Sequence, residues 1–384
     1  MTTAGARARE RLSALSGDDR ARAALSRLCE PDDVGLGQLV DRLGAEQVLA
    51  QIGSGELPSG RLAAYQARLT SLDPDAELER AAGFGARLVT PGSEEWPVVL
   101  DDLGPRRPLA LWVTGSGDLA HLGGRAVAVV GARACTAYGE HVAAELAAGL
   151  GERGWTVVSG AAFGIDAAAH RGALAVDGGT VAVLACGADV VYPSAHARLL
   201  SAVRGAGVVV SELPPGCRPT RSRFLGRNRV IAALGRGTVV VEAALRSGAM
   251  NTAGHAADLS REVMAVPGPV TSPMSAGCHE LVRGAAASLV TDAADVLDLV
   301  GDMGVDAGPL RRGEVRPHDG LDDLTMRVLD ALPVRQRAGP ASIARVAGLD
   351  AASVLRALAV LSVRGLADNA AGAWRRAPAT GAKR

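Results

Sequence analysis

The chain has 384 residues, 48% of them apolar, with 41 basic and 41 acidic side chains and a net charge of zero. That is enough apolar material for a folded core in two or three domains, and it excludes both a disordered chain and a uniformly basic nucleic-acid coat. Apolar runs reach only about six residues against the roughly 20 of a membrane span, and the opening MTTAGARARERLSALSGDDR has no apolar stretch, so a cytoplasmic protein without membrane insertion or signal peptide is expected. The five cysteines, Cys29, Cys135, Cys186, Cys217 and Cys278, are odd in number, widely spaced and free of CxxC pairs. Neither a disulfide framework nor a metal site is expected from them. Lys383 is the only lysine, so any phosphate contact falls to arginine, which binds phosphate bidentately.

Taken in chain order, residues 1–80 read as a small helical domain. Leu25, Leu28, Leu36, Leu39, Val40 and Leu43 recur at close to helical spacing between glycine-rich joints. From residue 81 to 300 the pattern changes. Short β-branched runs at Val127–Val130, Thr156–Val158, Val181–Leu184, Val208–Val210, Thr238–Val241 and Val263–Val266 alternate with helical stretches such as Tyr138–Arg153 and Ile165–Val176. Runs that are almost wholly apolar suit strands buried on both faces, and their alternation with helices predicts a doubly wound, mostly parallel α/β sheet. Such sheets bind ligands beyond the carboxyl ends of their strands. Residues 301–319 read as a Gly/Pro-rich charged linker. Helices at Leu321–Ala331, Pro340–Val346 and Ala351–Leu361 with a hairpin at Gly365–Ala377 predict a winged-helix domain over 320–378, and 379–384 a tail.

The residues that carry chemistry follow the strands. The first turn, VAVVGARACTAYG, lacks GxGxxG, and no GxxxxGK[ST] occurs, so no nucleotide cofactor is expected. Gly131 lets backbone approach an anion and Arg133 is placed to clamp one; a plain tight turn with a surface arginine fits the same residues. In SGAAFGIDAAAH, Ser159 and Gly160 offer a hydroxyl and amides to a phosphate. Asp166 and His170, four residues apart on one helical face, read either as an acid–base pair or as a buried structural hydrogen bond. The segment Cys217–Arg236 holds Arg218, Arg221, Arg223, Arg227, Arg229 and Arg236, one of three phenylalanines, Phe224, and no acidic residue. Arginines for phosphates around a ring for bases, with Asn228 as a further donor and acceptor, is the chemistry of single-strand binding. A solvated arginine loop around a core phenylalanine is the alternative. Ser247, Gly248 and Thr252 open a further helix in an anion-friendly manner, and Val266–Ala285 reads as a connecting loop.

Together these stretches resemble the DprA/Smf (DNA-processing protein A) family. The resemblance spans roughly 160 residues from Val127 to Ala285, with LVTPGSEEWPVVL and RPLALWVTG upstream; it rests on SGAAFGIDAAAH, VYP at Val191–Pro193, Ser211–Glu212, RNRVIAAL, SGAMNTA and Pro267–Gly268 in that order. It implies a Rossmann-like core that binds single-stranded DNA, dimerises and loads the recombinase RecA during natural transformation, without catalysis. By position it implies Gly131 and Arg133 in one phosphate-binding turn, Ser159 and Gly160 in a second, Arg221 on the backbone, Phe224 under a base and Asn228 beside the strand. Arg221 stands where the family often has lysine, Ala132 where it often has serine, Leu225 for a proline and His279 for an asparagine. A second resemblance, to the LOG-type phosphoribohydrolases with their PGGxGTxxE motif, rests on GRGTVVVE alone; it would make the protein a nucleoside monophosphate hydrolase with Glu242 as catalytic carboxylate.

Overall fold

The computed structural model describes residues 15–56, 62–69, 72–306 and 318–378. It divides into two units, Met1–Gly308 and Pro309–Arg384.

The first unit is built on nine strands: β1 (Arg87–Val89), β2 (Leu111–Gly115), β3 (Ala126–Val130), β4 (Thr156–Ser159), β5 (Thr180–Leu184), β6 (Val208–Ser211), β7 (Gly237–Val240), β8 (Glu262–Ala265) and β9 (Ser288–Leu289). They lie in the order β1-β2-β6-β5-β4-β3-β7-β8-β9. From β6 to β9 all pairings are parallel, while β2 runs antiparallel to β6 and β1 to β2. Strand β3 shows why its sequence reads as a continuous apolar run. Val127 and Val129 pack into the core on one face with Leu146, Leu150 and Trp155, and Ala126, Ala128 and Val130 into the core on the other with Val230, Ile231 and Leu234. All five are buried.

This sheet bears out the doubly wound, mostly parallel α/β expectation. The antiparallel edge strands β1 and β2 carried no strand expectation; they are short and separated by a 3-10 stretch at Val98–Arg106. β7 and β8 each begin one residue before the sequence-predicted run. The acid-free arginine segment, to which the sequence pattern assigned no element, is helical over Arg221–Leu234, with Thr220 as its cap. After β3 the chain crosses through the Ala137–Gly151 helix to β4 on one side; after β6 the Arg221–Leu234 helix returns it to β7 on the other. The loops leaving β3 and β7 therefore diverge, and that divergence is where doubly wound sheets open a crevice.

The N-terminal helices Gly17–Leu28, Val34–Leu43, Ala45–Ser54 and Leu62–Leu69 share a core of Leu25, Leu28, Leu36, Val48, Ile52 and Tyr65 that extends to Leu109, and Pro74–Gly83 follows them. The Trp112 side chain of β2, fully buried, packs on Ala23, Leu78 and Ala81. Trp112 thereby joins these helices to the sheet within the first unit. In the second unit, helices Asp323–Ala331, Pro340–Ala347 and Ala351–Val363 precede antiparallel strands β10 (Ala367–Ala370) and β11 (Ala373–Arg376), around Val328, Ile343, Leu358 and Leu361. Residues 307–317 of the expected linker and the expected tail lie outside the described residues.

Candidate nucleic-acid interface

At the carboxyl edge of the sheet lies a cleft of about 700 Å³. Its wall takes Val130–Arg133 after β3, Ala162 and Asp166 after β4, Tyr192 after β5, Pro219–Arg221 after β6 and Ser247–Ala249 after β7, with Phe224, Arg227, Asn228, Ile231 and Thr252 between them. The N-terminal ends of the Ile165–Ala175, Arg221–Leu234 and Gly248–Asp258 helices all border it. Aligned peptide dipoles and free N–H groups make such ends favourable to anions. Gly131 has a steric reason to be glycine: an added Cβ would lie 2.5 Å from Ile165 Cγ1 and 2.9 Å from the Glu242 carbonyl.

Phe224 is half-buried in the cleft wall. The Arg133 guanidinium lies 4.7 Å and that of Arg227 5.7 Å from its ring centre, while the Tyr192 ring stands 5.8 Å away at 54°. Arg133 and Arg221 are exposed on the wall. Arg227 is buried beneath, donating to the Val183 carbonyl at 2.9 Å. Burial pushes its pKa down to about 10, with the Asp166 carboxyl opposing, so it remains a cation at neutral pH.

Four expected positions need correction. Arg229 is fully buried and committed internally, bonding Glu212 at 2.7 and 2.8 Å and the Arg106 carbonyl at 2.7 Å, with Asp32 3.3 Å away; it offers nothing to a ligand. Arg223 makes a two-pronged pair with Glu30 of the N-terminal helices, at 2.8 and 2.9 Å, and does not line the cleft. That carboxylate, 193 residues away in sequence, is invisible to a count of charges within the segment. Ser159 is fully buried and donates to the Val129 carbonyl at 2.7 Å, and Gly160 lies under Arg227, where an added Cβ would come within 1.5 Å of Nη1. Gly160 leaves room for the Arg227 guanidinium, and neither residue lines the cleft as a phosphate cradle would. Ser247 and Thr252 border the cleft but use their hydroxyls locally, Ser247 as helix cap and Thr252 donating to the Gly248 carbonyl. Asn228 donates to the Gly248 carbonyl at 3.3 Å and Asn251 at 3.1 Å. Tyr192 and Thr220 line the cleft without having been singled out; the VYP run was the available signal for Tyr192.

The acid–base pair does not form. His170 is fully buried and its Nδ1 meets Thr180 Oγ1 at 2.7 Å, not Asp166. Asp166 accepts from the Ala162 amide at 3.3 Å. Burial raises its pKa and Arg227 opposes the rise. Glu242, 1% exposed, accepts from the Thr136 amide at 2.8 Å and hydroxyl at 2.7 Å and so holds Thr136 in place as the cap of the Ala137–Gly151 helix. It is absent from the cleft wall. Among the described residues no cluster of three or more His, Cys, Asp or Glu side chains could hold a metal ion.

A doubly wound α/β sheet carrying an arginine- and aromatic-lined cleft at its strand ends is a Rossmann-like fold with a ligand site where such folds place one. Residues 87–301 match the sequence model of the family described as DNA recombination-mediator protein A. A DprA homologue of Mycobacterium tuberculosis is 48% identical over 370 residues, covering 93% of this chain and 94% of its own. The chain therefore belongs to the DprA/Smf family. DNA processing protein A of Streptococcus pneumoniae superposes with a TM-score of 0.62 at 32% identity, covering 74% of this chain and 98% of that one. The Helicobacter pylori protein, whose structure concerns a single-stranded DNA binding mode, superposes at 0.50 and 27% identity over 55% of this chain and 94% of its own.

Proposed function

We propose that this protein binds single-stranded DNA in the strand-end cleft and serves DNA processing during transformation, acting as a binding protein without catalysis. The observation that carries the reading is the Phe224 ring in a cleft wall between the exposed cations Arg133 and Arg221, with three helix N-termini around it. A ring stacks any base for about 1–3 kcal/mol, and guanidinium groups with helix ends hold the phosphates without reading sequence. In this reading Gly131, Arg133, Arg221, Phe224 and Asn228 touch the strand, Arg227 supplies buried positive charge, and Ser247, Gly248 and Thr252 shape one side. Family membership and the single-stranded DNA bound by the Helicobacter pylori relative support it.

As a recombination mediator the protein would deliver the strand to the recombinase RecA; in this reading it does so in the cytoplasm and as a homodimer. No single helix among the described residues is long and apolar enough to cross a membrane. Three helices followed by a hairpin fit a winged-helix domain in the second unit. The phosphoribohydrolase alternative has no support in the cleft, because its carboxylate, Glu242, is spent on holding a helix cap.

Fluorescence anisotropy with a labelled oligo-dT strand tests the reading. Phe224→Ala is expected to weaken binding by about 5- to 150-fold, the stacking contribution of one base, and Arg221→Glu to weaken it at low salt. Wild-type affinity in both variants refutes the assignment of the cleft.

A further inference from the structure

Aromatic residues make up 3% of the chain, and its non-tryptophan rings are three Phe and three Tyr. Three of these six follow successive neighbouring strands at the cleft edge: Phe163 after β4, Tyr192 after β5 and Phe224 after β6. Phe163 lies outside the cleft wall, next to Ala162, which is in it. Its side chain is 49% exposed, an unusual placement for a phenylalanine. The ring is not loose. It stands edge-to-face on His196 at 4.7 Å, and His196 is itself buried and tied to the Ala161 carbonyl at 3.0 Å. The loop from Tyr192 to His196 thus carries a cleft-wall ring at one end and the support of Phe163 at the other. From Val190 to Ser211 the chain has no acidic residue and includes Arg198, which is exposed.

We propose that Phe163, backed by His196, is a second base-stacking subsite for single-stranded DNA, reached by a strand that leaves the Phe224 cleft past Tyr192. This deepens the function proposed above and rests on it. A supported, half-exposed ring offers a base a flat apolar face without sequence preference. A protein partner docking on the same ring is the competing occupant. The continuity with the cleft, whose wall takes in Ala162 and Tyr192, favours the polynucleotide.

The test uses the full-length protein and labelled oligo-dT strands of increasing length. For strands just long enough to fill the Phe224 cleft, Phe163→Ala is expected to bind like wild type. For strands several nucleotides longer, it is expected to lose about 5- to 150-fold. Phe163→Tyr restores the loss and Phe163→Leu does not, because stacking needs a ring where apolar docking would accept leucine. Equal affinity of wild type and Phe163→Ala at every length, with Phe224→Ala still impaired, overturns the subsite and leaves the cleft intact. Full rescue by Phe163→Leu overturns base stacking, because an apolar side chain without a ring would then suffice. Wild-type protein that binds no oligonucleotide refutes the underlying reading instead.

Discussion

His170 shows how a polar side chain in this molecule is settled by its partners. The Thr180 hydroxyl donates to the Val157 carbonyl at 3.0 Å, so its oxygen accepts from His170 Nδ1 and fixes the neutral tautomer with the proton there. Nε2 is buried with no hydrogen-bond partner. Burial, with the nearby His196 and Arg227 adding to it, pushes the pKa from 6.5 down to about 3. Protonation is therefore penalised in the folded state. The stabilising contribution is complete above pH 6.5 and is lost as the pH falls towards 3. Urea-unfolding midpoints are expected to decline on acidification through this window, and to decline less steeply in His170→Gln. Identical pH profiles for the two proteins would contradict the assignment.

Among elements, the Arg221–Leu234 helix matters most. Its first turns face the cleft, while Val230, Ile231 and Leu234 are buried in the core. The loop after the first N-terminal helix grips it through ion pairs, Glu30 with Arg223 and Asp32 with Arg229, and Asp32 also pairs with Arg106 at the end of the 3-10 stretch. Glu30 thus withholds one cation from the binding edge. Glu30→Ala is expected to raise single-strand affinity a few-fold at low salt and to steepen the salt dependence by up to about 0.7 in log–log slope, the contribution of one further phosphate contact. Weaker binding in that variant would mean instead that the ion pair holds the segment in its binding conformation.

The same helix marks how far the sequence could be read. Local signals sufficed for the parallel strands, whose continuous valine runs state their double burial, and for Phe224, Arg133 and Arg221 at the strand ends. What escaped depends on partners distant in sequence. Glu30 and Glu212 neutralise two of the segment's arginines, and a helix from residue 165 and a carboxylate at 242 explain Gly131 and Gly139. Ser159 is a polar residue at a strand end in the sequence, but its hydroxyl points into the sheet. The antiparallel edge strands β1 and β2 were hidden because three and five residues carry little periodicity.

At the scale of the whole molecule, a balanced net charge means that binding cannot come from a general electrostatic field. It must come from a local arrangement that concentrates cations and rings at one sheet edge. Such a site discriminates by access to the base face, which a duplex does not offer. The most direct test compares single- and double-stranded oligonucleotides of one sequence, titrated against the full chain at low and high salt and against a chain ending at residue 306. Tighter binding of the single strand at both salt concentrations, a log–log slope near 0.7 per neutralised phosphate and little change on removing the second unit are the predicted results. Equal or tighter binding of the duplex, or loss of binding in the shorter chain, would contradict the claim that the strand-end cleft is where the protein holds DNA.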